Sequence, residues 1–274
     1  MPLLRASVPP WFKPICVLVF ATAALAQQQP PTAPVQNPQT ENAAKAKDLV
    51  LRSITALGGD FYRKVFDMKQ TGRGFGFYHN EATGVGLAFT RFYQYPDKDR
   101  YEYFKNGEWV VIFVGDQGYE TTFRGSRLVE GKDLADYNRR RLHSLDRVLR
   151  DWVPDNKTAY FYEGTTLIGP KQVHQVTLMN KDNLSETLFI DAKTYLPVQK
   201  QYTWRDPETR EMQEEVELYD EYRPVQNVLT AFRITRMKNG EISSQRFLKT
   251  VEYNIGVGDR PFVPPPLKNE KRKK

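Results

Sequence analysis

Val228-Leu-Thr-Ala-Phe-Arg-Ile-Thr-Arg-Met-Lys-Asn-Gly-Glu-Ile-Ser-Ser-Gln-Arg-Phe-Leu-Lys-Thr250 decides the fold. Runs rich in β-branched and aromatic residues flank Asn239-Gly240, a dipeptide suited to a two-residue hairpin because both central positions need positive φ. The pattern predicts antiparallel strands at 228–237 and 244–254. Asn106-Gly107 repeats the signal, and Pro96 to Asp99, Asn180 to Asn183, Asp191 to Thr194 and Asp206 to Thr209 are further turn clusters. Between them lie strand candidates near 62–78, 86–94, 99–104, 108–114, 118–123, 158–163, 172–179, 185–190, 196–204 and 211–222. The short connections predict a meander.

Two helical patterns interrupt the strands. Ala43, Ala46, Val50, Ile54 and Leu57 recur at helical spacing after a possible N-cap at Thr40, and Gly58-Gly59 ends the pattern. Leu134, Tyr137, Leu142, Leu145, Leu149 and Trp152 form one stripe between Asp133 and Pro154, with Asp136, Arg139, Arg140, His143, Asp146, Arg147 and Arg150 mostly off it. This second helix must lay its apolar side on a sheet face or a cavity mouth. Trp109 to Val114 is apolar on both faces, so part of the sheet should be covered twice. Between Glu208 and Glu221 the acidic residues alternate with apolar ones, as on the outer face of a solvated edge strand. The fold class that follows is mainly β with helices: a strongly curved antiparallel sheet, a half-open barrel, with an N-terminal helix and an inserted amphipathic helix on its concave side.

Outward from this domain the ends are of a different kind. Arg5 and Lys13 precede an apolar run, Ile15 to Leu25, that closes on Ala24-Leu25-Ala26, a signal-peptidase pattern. The run is short of the ~20 apolar residues needed to span a bilayer. It is read as a signal peptide, residues 1–26, cleaved after Ala26, which places the protein in the periplasm. The single cysteine, Cys16, lies inside that segment, after Lys13-Pro14-Ile15, which does not resemble a lipoprotein processing site. A mature chain then has no thiol chemistry and no disulfide. Residues 27–40 read as a proline- and glutamine-rich linker, 41–266 as the domain and 267–274 as a basic tail.

The net charge of +7 is concentrated at the ends: Arg5 and Lys13 supply two and Lys268 to Lys274 four, leaving +1 for residues 27–267. A nearly neutral body excludes a phosphate-tracking surface, so no nucleic-acid partner is expected. His79, His143 and His174 are dispersed and read as structural or solvated, so no metal and no cofactor is expected. No nucleophile-elbow, zinc-protease or phosphate-loop motif occurs. The glycines of Gly72-Arg73-Gly74-Phe75-Gly76 read as bends or bulges in a strand.

What remains is an apolar inventory of 16 Phe, 15 Tyr and 4 Trp. In a curved sheet too large to fill itself, Leu87, Phe89, Val111 and Phe113 on strands and Leu142, Leu145, Leu149 and Trp152 on the inserted helix are candidates to line an apolar ligand cavity.

Several strings carry a family resemblance: Tyr95-Pro96-Asp97-Lys98-Asp99-Arg100 entering a strand, Phe113-Val114-Gly115-Asp116-Gln117-Gly118-Tyr119, Leu188-Phe189-Ile190-Asp191-Ala192-Lys193-Thr194-Tyr195-Leu196-Pro197, and Phe262-Val263-Pro264-Pro265. In their order the chain resembles the periplasmic lipoprotein-carrier superfamily, the LolA-like and RseB-like proteins. That resemblance implies a half-open barrel that holds acyl chains, a monomeric non-enzymatic carrier, and lipidated proteins or other lipids as partners. Such carriers commonly have an arginine before the proline at the Tyr95 position to hold the lid; this chain has Tyr95, which leaves Arg100 as a candidate for that role. Two other functions are weighed: an envelope sensor or scaffold of the same fold that binds a membrane-associated protein, and a hydrolase using scattered carboxylates.

Overall fold

The computed structural model describes residues 38–104 and 109–267. The signal segment with Cys16, most of the linker, the Asn106-Gly107 turn and the basic tail lie outside the described residues. Helix α1, Pro38–Leu57, buries Ala46, Leu49, Val50, Ser53, Ile54 and Leu57 along one stripe. It starts before Thr40, within the residues read as linker, with Pro38 at the first helical position, where its missing N–H costs nothing. Gly59 ends it: Gly59 has φ 57°, and its N–H donates to Ile54 O at 2.9 Å. A Cβ at Gly58 would stand 2.4 Å from the Asn227 carbonyl oxygen, so only glycine allows this approach.

The expected strand from residue 62 begins later, because Asp60–Arg63 forms a short helix, α2, anchored by buried Tyr62. Then come β1 (Asp67–Tyr78), β2 (Glu81–Ala82), β3 (Leu87–Gln94), β4 (Lys98–Tyr103), β5 (Trp109–Val114), β6 (Gln117–Thr122) and β7 (Gly125–Val129). The helices α3 (Gly131–Leu142) and α4 (Leu145–Arg147) follow, the latter running into a π turn, Val148–Trp152. The chain continues through β8 (Ala159–Ile168), β9 (Lys171–Met179), β10 (Ser185–Asp191), β11 (Pro197–Arg205), β12 (Met212–Val225), β13 (Val228–Lys238) and β14 (Glu241–Tyr253). β7 is short and mostly polar, with no apolar alternation to reveal it.

All strands form one antiparallel sheet that does not close, in the order β7-β6-β5-β4-β3-β1-β14-β13-β12-β11-β10-β9-β8, with β2 beside β1. It is a curved half-barrel. The expected meander is two meanders joined at a seam where the first and last long strands pair, Met68 opposite Tyr253. A bulge between Thr71 and Gly72 marks the seam; a Cβ at Gly72 would stand 2.2 Å from the Phe247 carbonyl oxygen. Asn239 and Gly240 have φ 49° and 83°, the hairpin geometry their sequence demands. Gln226-Asn227 makes an equivalent hairpin, φ 46° and 65°, without a glycine to announce it.

The free edges β7 and β8 are consecutive along the chain, and the helical segment between them bridges the gap. On one half of the concave face α1 and the π turn fill the space: Val50, Ile54, Val148, Leu149, Trp152, Val176, Leu178, Leu188 and Ile190 form a single buried cluster. On the other half no equivalent cluster covers the sheet among the described residues. The convex face of β4 and β5 is covered by the turn Arg260–Phe262, with Phe262 buried, so β5 is covered twice.

Candidate ligand cavity and lid

On the uncovered half the concave face lines a cavity of about 700 Å³, within the range of ligand pockets. Register explains its lining. Gly72, Phe89, Tyr103 and Trp109 stand in one cross-strand row; Gln70, Arg91, Tyr101 and Val111 in the next; Met68, Tyr93, Asp99 and Phe113 in a third. Tyr101 and Tyr103 stack at 5.9 Å, and Tyr103 lies 4.6 Å from Trp109. One wall is therefore a continuous aromatic surface. Gly74 adds space, since a Cβ there would meet nothing within 4 Å.

The floor is ionic. Arg91 donates through Nε and Nη2 to the two oxygens of Asp99 at 2.8 and 2.9 Å. Burial alone would lower its pKa, but the carboxylate of Asp99 reverses this and raises it. A second row crosses five strands: Leu188, Lys200, Glu217, Arg236 and Ser244 are paired in register. Lys200 lies 3.3 Å from Glu186 and 3.8 Å from Glu217, which also pairs with Arg236 and accepts from Tyr219 at 2.7 Å. Burial pushes the Glu217 carboxyl up, but Arg236 and Lys200 outweigh it and hold it well below the usual glutamate range. Buried Glu186 is pushed up by burial, against Lys200 and His143.

Helix α3 spans the gap between the two arms of the sheet. Tyr137 stacks on Phe113 at 3.4 Å and donates to Asp99 at 3.4 Å; Arg141 bonds the Gly115 carbonyl and Asp116. On the far arm Arg139 sits 3.9 Å over Trp204, and Arg140 pairs with Glu215 at 3.5 Å. The helix ends at His143, which turns inward, stacks on Tyr202 at 3.8 Å and bonds Glu186 at 2.8 Å. Ser144 then caps α4, accepting from Arg147 N–H.

The expected single helix from Asp133 to Trp152 is therefore two helices and a π turn, because the buried bond of His143 and the cap at Ser144 break the periodicity. That break redistributes the candidates. Leu87, Phe89, Val111, Phe113 and Leu145 line the cavity. Leu142 is 41% exposed, while Leu149 and Trp152 are packed against α1 and β8 to β10, so these three are not part of its wall. Arg100 is on the convex face, bonding Glu102 at 2.7 Å and the Pro261 carbonyl at 2.9 Å, away from the lid. Tyr95 itself reaches the helical segment: its hydroxyl donates to Asp151 and its ring carries Arg150 at 3.8 Å.

The carboxylates were misplaced by simple alternation. β12 is a central strand, and Glu221 takes φ 54° while the pairing with β13 keeps one register on either side of it; Glu217 and Tyr219 before it and Tyr222 after it all line the cavity. A basic partner at each register position, Lys200 and Arg236, was the available signal. Among the described residues no group of acidic, histidine or cysteine side chains could hold a metal ion.

No family model matches the chain, and no curated protein matches its sequence. Solved structures do. A DUF1329 family protein from Desulfovibrio piger is similar with a TM-score of 0.56 at 11% identity, over 81% of this chain and 97% of that one. A putative outer membrane lipoprotein-sorting protein domain from Vibrio parahaemolyticus is similar with a TM-score of 0.51 at 10% identity, over 81% and 97%. The likeness to both structures is one of fold. Within that fold, Tyr95 stands at the position where the family resemblance implies a lid arginine, and an ionic floor lies beneath an aromatic wall. No helix among the described residues is long and apolar enough to cross a membrane.

Proposed function

We propose that the protein is a non-enzymatic carrier or binding protein of the periplasm that takes the acyl chains of a lipid or lipidated protein into this cavity. The supporting observation is the uncovered half of the sheet: Leu87, Phe89, Val111, Phe113, Tyr103 and Trp109 present apolar surface to a cavity of about 700 Å³. Each buried methylene contributes about 0.8 kcal/mol. The lipoprotein-sorting likeness fits the same use. In the test, delipidated protein is titrated with a fluorescent fatty acid, and protein from its own envelope is analysed by mass spectrometry for bound lipid. Saturable binding that Gly74→Leu abolishes by filling the cavity is expected; absence of both binding and co-purified lipid overturns the reading.

A second reading, a scaffold for a protein partner, is favoured by one feature. β7 is an unpaired edge, and Phe123, in the turn before it, is 88% exposed. A stoichiometric protein partner recovered without lipid, and lost with Phe123→Asp, would establish it.

A further inference from the structure

One floor residue has no salt-bridge partner among the described residues. Arg246, on β14, lies between Gly74 on β1 and Ile234 on β13 and lines the cavity. Its guanidinium carries five donors, yet its hydrogen bond among the described residues is a single one, Nη1 to the Tyr101 hydroxyl at 3.2 Å. No carboxylate lies within salt-bridge distance of it among the described residues. The neighbouring cations are already committed: Arg91, 5.2 Å from the Tyr101 ring, is clamped by Asp99, and Arg236 by Glu217. Three guanidinium groups thus share two carboxylates beneath an aromatic wall. Burial, with repulsion from Arg236 and Arg91, lowers the pKa of Arg246 and outweighs the opposing pull of the Tyr101 hydroxyl and the Glu217 carboxylate. Arg246 is half-buried, and a partly desolvated charge without a paired carboxylate is costly unless something else neutralises it. The space beside it is open, because Gly74 leaves nothing within 4 Å of where a Cβ would stand.

We propose that Arg246, supported by Arg236, Arg91 and the Tyr101 hydroxyl, binds an anionic group, a phosphate or carboxylate, at the floor of the cavity. The planar fork of arginine suits such oxyanions, and charge-assisted bonds to it are the strong ones. The inference rests on the acyl-binding reading for one consequence: the ligand is an amphiphile whose anionic head sits on Arg246 while its chain lies along Phe89, Tyr103 and Trp109.

The experiment is titration calorimetry of delipidated protein with dodecyl phosphate, dodecanol and inorganic phosphate. Dodecyl phosphate should bind at least about tenfold more tightly than dodecanol, a difference of about 1.4 kcal/mol. Arg246→Gln should erase that preference, leave dodecanol binding unchanged and raise the melting temperature of the empty protein, whereas loss of a structural arginine would lower it. Arg246→Lys should retain part of the preference. Inorganic phosphate that binds alone, and is lost with Arg246→Gln, also supports the site and identifies a free anion as its ligand. If dodecanol binds and the phosphate is not preferred, or the preference survives Arg246→Gln, the anion site is wrong while the acyl reading stands. If dodecanol fails but either phosphate binds through Arg246, the acyl reading is wrong and the anion site stands.

Discussion

The two halves of the sheet have the same strand chemistry but different cover. Over β8 to β10, α1 and the π turn place Ile54, Val148 and Leu149 on Val176, Leu178 and Leu188, all at most 1% exposed. Over β1 and β3 to β5 the cover from the described residues is thinner, with Tyr137 of α3 reaching Phe113, and comparable side chains such as Val111 and Leu87 stay partly exposed within a cavity. Between the halves runs the row Lys200, Glu217 and Arg236. One half buries its apolar surface under helices and the other leaves it lining a cavity, with an ionic band separating them.

That division can be broken most severely at the band. Lys200→Ala should cost about 4 kcal/mol in urea denaturation, because it leaves Glu186 and Glu217 buried without their shared cation; a cost below about 1 kcal/mol would mean that the band is only decoration. Next, Leu178→Ala in the filled half should cost about 3 kcal/mol by cavity creation, whereas Val111→Ala should cost less than about 1 kcal/mol and weaken fatty-acid binding instead. Equal costs at the two positions would remove the distinction between the halves. Tyr95→Phe should cost about 1 kcal/mol through loss of the bond to Asp151, and should speed ligand release measured by stopped flow. The smallest effect concerns acid. Glu217 has a depressed pKa, so its contribution to stability is complete at neutral pH and is lost as the pH falls through the usual glutamate range toward the lower folded value. Glu217→Gln should flatten that limb of the stability curve; an unchanged slope would assign the acid sensitivity to other groups.

The sequence made legible what depends on local pattern. α1 follows from the spacing of Ala46, Val50, Ile54 and Leu57, and the β13–β14 hairpin from Asn239-Gly240. The odd-numbered positions Leu87, Phe89, Val111 and Phe113 face one way because strand side chains alternate. What was hidden depends on partners distant in the chain. Nothing near His143 announces Glu186, so the helix break could not be foreseen, and with it went the placing of Leu142, Leu149 and Trp152. Nor does β12 reveal from its own residues that it is central, that Glu221 takes a positive φ, or that Glu217 turns inward to meet Lys200 and Arg236. The resemblance gave the half-barrel but pointed to Arg100 for the lid, a residue whose even-numbered position sets it on the outer face.

The seam between β1 and β14 also imposes an order of events. Met68 must wait for Tyr253, and β1 keeps one side unpaired until almost the whole domain has been supplied. A chain delivered N-terminus first can assemble β3 to β7 from neighbours alone, but it cannot join its two arms until the last long strand arrives. Such dependence on distant pairing slows folding.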